Sequence, residues 1–122
     1  MNKTQALALA ISKLGFDTGW VVRGDIVEWD DSVSNRPTEE EIVQKVAELE
    51  YQEEVEVYKE QRVREYPSYA DQFDQIFHEG VDAWKRTILD IKKKYPKQVM
   101  QPEVLDERKR QALADLEASR EE

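Results

Sequence analysis

The 122-residue chain has no cysteine. That excludes a disulfide framework, a thiolate nucleophile and a thiolate metal site, and the chain requires no oxidising compartment. Glycine is scarce, with four residues in all. Neither a P-loop nor a dinucleotide-binding glycine pattern can be built from them. There is a single histidine, His78. No run approaches the ~20 apolar residues of a membrane span. The longest apolar stretch, AlaLeuAlaLeuAlaIle, is six residues long. The amino terminus has no basic region followed by a hydrophobic one, so no secretory signal is expected. These absences point to a cytoplasmic protein.

Charge, by contrast, is abundant, at 37% of residues against a hydrophobic fraction of 39%. An average globular domain carries roughly 25%. Such a chain builds a small core and has long solvated faces, which suits a helical domain that also packs on a partner. The net charge of −9 is unevenly spread. From Pro37 to Pro67 ten glutamates face only Lys45, Lys59, Arg62 and Arg64, whereas Ser68 to Pro96 is balanced, five against five. An acidic surface repels phosphate backbones, so no nucleic-acid partner is expected. Lys92, Lys93 and Lys94 are read as complementing the carbonyl end of a helix.

The pattern along the chain predicts an α+β, mostly α fold. Leu7, Ile11 and Leu14 recur at helical spacing from Thr4 to Leu14, with Gly15 placed to cap. Trp20–Val22 and Ile26–Trp29 are β-formers separated by Arg23-Gly24-Asp25, hence two short strands and a tight turn. A two-stranded hairpin is marginal alone and must pack on the neighbouring helix. Thr38 and Glu41 form a capping-box signature, and nothing stops the helix they open until Pro67.

The stripe on this long helix drifts. Ile42, Val46 and Leu49 lie on one face, and Tyr51, Val55 and Tyr58 on another, rotated one. A straight stripe would serve one core. The first half is therefore expected to pack on the amino-terminal hairpin, and Tyr51, Val55 and Tyr58 to contact a partner or a second copy. Ser68 and Asp71 open a further short helix in which Tyr69, Phe73, Ile76 and Phe77 follow, and Gly80 ends it with a left-handed cap. Val81, Trp84, Ile88, Ile91 and Tyr95 form the facing stripe, ended by Pro96. The two segments read as a helical hairpin whose aromatics face one another.

After Lys97–Gln101, Pro102 suits the first turn of a last helix. Leu105, Leu113 and Leu116 give that helix a thin stripe with little left to cover it, so they join the expected interface. Three parts result: residues 1–36, a small helix and β-hairpin; residues 37–96, the long helix and helical hairpin; and residues 97–122, a linker and helical arm.

Candidate chemistry is sparse. Asp74 and His78 share a helix face and could serve a small hydrolase or a metal, but two ligands fall short of a zinc site. Paired carboxylates such as Glu53-Glu54 lie on faces that read as solvated, where nothing shifts their pKa. Arg23-Gly24-Asp25 matches a three-residue adhesion pattern, and it is also what a hairpin turn needs. Trp20, Trp29 and Trp84 fall on expected core faces. No catalytic, cofactor or metal residue is assigned, and no small-molecule substrate is expected.

One segment carries a specific pattern. Tyr66-Pro67-Ser68, Asp71-Gln72, Asp74, His78, Gly80, Trp84, Ile88 and Lys94-Tyr95-Pro96 follow one another in an order that resembles small bacteriophage proteins encoded beside tail and tail-fibre genes. Those proteins commonly have isoleucine and leucine where this chain has Tyr69 and Phe73. The Ile26-Val27-Glu28-Trp29 strand, followed by Arg36-Pro37-Thr38-Glu39-Glu40-Glu41-Ile42, is similar to another recurring piece of small phage tail proteins. Together, the amino-terminal part that holds this strand and helix start and the Tyr66–Pro96 segment cover roughly two-thirds of the chain. The resemblance implies a virion or assembly role: a structural component of the tail or fibre attachment region, or a tail assembly chaperone. It also implies phage tail or fibre proteins as partners, with self-association, and a location in the virion after assembly in the host cytoplasm. It carries no catalytic or ligand residues.

Overall fold

The computed structural model describes residues 1–121. It is α+β and mostly α, with five helices and one antiparallel two-stranded hairpin among the described residues. The first helix, α1 (Lys3–Lys13), starts one residue earlier than expected because Asn2 and Gln5 form a reciprocal capping box. At its other end the N–H of Phe16 reaches back to the carbonyl of Ile11, and that of Gly15 to Ser12. This is the Schellman arrangement, which delivers Phe16 to the core.

The strands β1 (Trp20–Arg23) and β2 (Ile26–Trp29) pair in the register Trp20↔Trp29, Val22↔Val27. Alternation therefore points these four side chains at α1 and leaves Val21, Arg23, Ile26 and Glu28 outside. Gly24, with φ of 63°, occupies the first central position of the two-residue turn, where a hairpin of type II′ requires positive φ. The hydroxyl of Thr4 donates to its carbonyl at 2.6 Å, tying the turn to α1. The Arg23-Gly24-Asp25 tripeptide is thus built into the hairpin as a turn.

Helix α2 (Glu39–Glu65) runs 27 residues, about 40 Å at 1.5 Å per residue. Thr38 Oγ1 accepts from the Glu41 N–H at 3.1 Å, and Glu41 turns back towards Thr38, completing the expected box. Ile42 and Val46 join Ala6, Leu7, Ala10 and Ile11 in the buried core, with the hairpin's inner face and Leu49 packed around it. Helices α3 (Tyr69–Glu79), α4 (Val81–Lys94) and α5 (Pro102–Arg120) complete the chain.

The three-part division is corrected. The chain forms two compact units, Met1–Glu54 with Met100–Glu122, and Val55–Val99. The boundary falls within α2, and the carboxy-terminal arm belongs with the amino-terminal module. Ion pairs and apolar side chains within the first unit join α5 to α2 there. Arg108 makes a two-pronged contact with Glu54 at 2.6 and 3.0 Å, and Arg120 reaches both Glu39 and Glu40 at 2.9 and 2.8 Å. These contacts lay α5 antiparallel along the first half of α2, over a groove of about 510 Å³ whose lining includes Leu7, Val46, Ala112 and Leu116.

Candidate protein-interaction surface

The expected interface is largely not free. Tyr51 is only 6% exposed, Val55 9% and Tyr58 7%. Tyr51 is covered from within its own unit: its hydroxyl accepts from the Gln101 N–H at 3.0 Å, and the Arg108 guanidinium lies 5.2 Å over its ring. Arg62 lies 4.9 Å over Tyr58. The drift of the α2 stripe therefore serves the chain's own packing. Leu105, Leu113 and Leu116 are half-buried on α5, and Leu116 lines the groove against α1 and α2.

The unit from Val55 to Val99 exposes a different surface, built from the helical hairpin. Ser68 Oγ accepts from the Asp71 N–H at 3.1 Å and starts α3. Gly80 ends α3 and begins α4 with no loop between, at φ 89° and ψ 167°. That is the mirror-image extended region rather than the left-handed helical one expected, and only glycine enters it readily.

The hairpin's inner face carries polar groups. Trp84 Nε1 donates to Gln72 Oε1 at 2.9 Å, and Gln75 Nε2 donates to Thr87 Oγ1 at 2.8 Å. A half-buried indole N–H needs an acceptor, and Gln72 supplies it. With Gln72, Gln75 and Ile76 turned inward, the aromatics lie on the flank. Tyr69 is 81% exposed, Phe73 68% and Phe77 84%. The expectation that these aromatics face α4 is corrected, and Val81 is likewise exposed rather than part of the α4 stripe. Successive members are four residues apart, which turns each only ~40° from the last. They therefore form one stripe. Beside it, Val63, Tyr66, Pro67 and Tyr69 line a pocket of about 320 Å³.

The end of the hairpin is anchored to the end of α2. Arg62 Nε donates to the Tyr95 carbonyl at 2.8 Å and its Nη2 to that of Lys92 at 3.3 Å, satisfying carbonyls that a helix leaves unpaired. The Glu65 carboxylate accepts from both Lys94 Nζ and the Tyr95 hydroxyl at 2.6 Å. Those two bonds hold its pKa below the ordinary value, and the bond to Glu65 raises that of Tyr95.

His78 stands at the surface with its ring edge-on to Phe77 at 5.0 Å. Among the described residues, no three His, Cys, Asp or Glu side chains converge as a metal site would, and no polar or charged side chain is buried. The displaced carboxylates, Asp30, Glu40, Glu48, Glu54 and Glu65, are all lowered, chiefly by hydrogen bonds. Trp20 and Trp29 pack against the core, with Trp20 Nε1 donating to the Phe16 carbonyl at 2.8 Å and Phe16 edge-on to Trp29. No helix is long and apolar enough to cross a membrane among the described residues.

Periodicity missed the α3 stripe because it reads an apolar residue as inward. Ile76 and the three aromatics span only ~100° of the helix, an ordinary width for a core-facing stripe, so no signal in the spacing turns them outward. Compared with protein-family models, with curated proteins and with solved structures, the chain matches none.

Proposed function

We propose that this chain is a non-enzymatic component of a bacteriophage tail or its fibre attachment region, acting by packing onto other proteins. The observation that carries this reading is the exposed stripe of Tyr69, Phe73 and Phe77. Single apolar residues at a surface are ordinary, but a contiguous aromatic face is characteristic of protein contact. The stripe lies inside the Tyr66–Pro96 segment that resembles phage tail-region proteins. Several of the matching residues, Gln72, Trp84, Lys94 and Tyr95, frame the hairpin by hydrogen bonds. Tyr69 and Phe73 replace other apolar residues of that pattern, so exposed positions keep their apolarity. Structure alone does not require apolarity there; a partner does.

On this reading the protein needs no cofactor and takes no nucleic acid, membrane or small molecule as partner. It is assembled in the host cytoplasm and resides in the virion. The second reading, a tail or tail-fibre assembly chaperone that leaves before maturation, draws on the same stripe, since shielding a partner's apolar surface also needs an exposed one. Mass spectrometry of purified virions separates the two. Near-stoichiometric peptides support the structural component, and their absence supports the chaperone. A hydrolase using Asp74 and His78 is the competing class. Replacing both by alanine should leave phage yield unchanged, and a collapse in yield with normal assembly would favour that class instead.

A further inference from the structure

Leu89 is 51% exposed near the middle of α4. Its neighbours three and four residues to either side are Lys85, Arg86, Lys92 and Lys93. Side chains at those spacings share a helix face, so one leucine sits inside a ring of four cations. All four are exposed, and none makes an ion pair among the described residues. Other bases do find a carboxylate, as Lys94 does at Glu65 and Arg108 at Glu54. With 27 acids to 18 bases in the chain, the four are left unpaired by placement and not by a shortage of acids. Of the acids on α4, Asp82 shares this face two turns before Leu89, and Asp90 lies ~100° round from it. Val81, 48% exposed, borders the face at its start.

We infer that this face of α4 docks an acidic protein segment, one that presents an apolar side chain among carboxylates. Charge complementarity gives the sign of the partner, and Leu89 gives its class. Against a nucleic acid the leucine would meet sugar and phosphate, and the face has no aromatic on which a base could stack. A helix lying in a membrane interface needs a broad apolar side. Here Trp84, Ile88 and Ile91 are half-buried away from this face, which leaves Leu89 and Val81. The net charge of −9 also opposes a long polyanion more than a short acidic segment. Carboxylates of a protein can meet the lysines and the planar fork of Arg86 while Leu89 leaves water. The face is separate from the α3 stripe, and the contact holds whether or not the chain belongs to a phage tail.

A peptide titration of the full-length, isotope-labelled protein tests it, read by NMR amide shifts. The probe is a helical peptide with one leucine and glutamates three and four residues to either side of it. Shifts should gather between Lys85 and Lys93, and binding should weaken as salt rises. Leu89→Ser keeps every charge and should weaken binding at least ~5-fold. Lys85→Glu/Lys93→Glu should abolish it, with wild-type helix content in both variants. Lys3→Glu/Lys13→Glu makes the same change of net charge on α1 and should bind as wild type does. Absence of binding, shifts centred elsewhere, or an equal loss in the α1 variant overturns the inference. An unaffected Leu89→Ser does so too, since bare charge attraction would then suffice. Duplex DNA or phosphatidylserine vesicles that shift the same amides at lower concentration than the peptide assign the face to that class and overturn it equally.

Discussion

The indole N–H of Trp84 donates to the side-chain oxygen of Gln72 across 2.9 Å. With the Gln72 amide on the inner face, Tyr69, Phe73 and Phe77 lie on the exposed side of α3. Replacing Gln72 by alanine leaves the half-buried indole without its acceptor. Chemical denaturation should register a loss of about 1 kcal/mol, and the Trp84 fluorescence of the folded state should change with it.

The exposed aromatics should behave oppositely. Phe73→Ser or Phe77→Ser removes little packing, so stability should stay within about 0.5 kcal/mol of wild type. A larger loss in thermal unfolding would show that the stripe is part of the chain's own core.

Core positions define the other extreme. Ile11 is fully buried between α1 and its neighbours, and Ile11→Ala should cost about 2–5 kcal/mol. Val55→Asp places a carboxylate at a site only 9% exposed, where an unpaired charge is strongly unfavourable. It should lower the unfolding midpoint sharply and reduce helix content. The same change at half-buried Leu113 should be milder. On sequence grounds both positions belonged to an interface, and both changes would have left the fold intact.

Acid should release α5 first. Glu54 is held below its ordinary value of 4.5 chiefly by the hydrogen bond from Arg108, and Glu40 is lowered by a backbone hydrogen bond and then by Arg120. A carboxylate with a depressed folded-state pKa stabilises the fold above its unfolded value. That contribution is lost as pH falls through the folded value. Hydrogen exchange at α5 amides should therefore quicken as pH drops below about 4.5, before exchange in α1, once rates are corrected for the intrinsic effect of pH. High salt at neutral pH should act in the same direction, because the pairs are exposed and screened.

Helix content offers a broader check. With 68% of its residues helical, the chain should give a circular dichroism spectrum far above the roughly 30–35% of an average globular protein.

Local chemistry settled the elements. Thr38 with Glu41, Ser68 with Asp71, and the prolines at 67, 96 and 102 mark helix ends because caps and missing N–H groups act within one turn. The Gly24 turn and the β-branched residues around it likewise specify the hairpin, and the absence of cysteine and of glycine-rich loops limits the chemistry before any fold exists. What periodicity could not assign was the owner of each apolar face. Tyr51, Val55 and Tyr58 repeat at the same helical spacing whether a partner or the chain itself covers them. Only the tertiary structure decides, through long-range contacts such as Arg108 with Glu54 and Gln101 with Tyr51. The same holds for α3. Its spacing says that Tyr69, Phe73 and Phe77 share a side, but that the side faces out is seen only in the tertiary structure, where Gln72 takes the inner face against Trp84, twelve residues on.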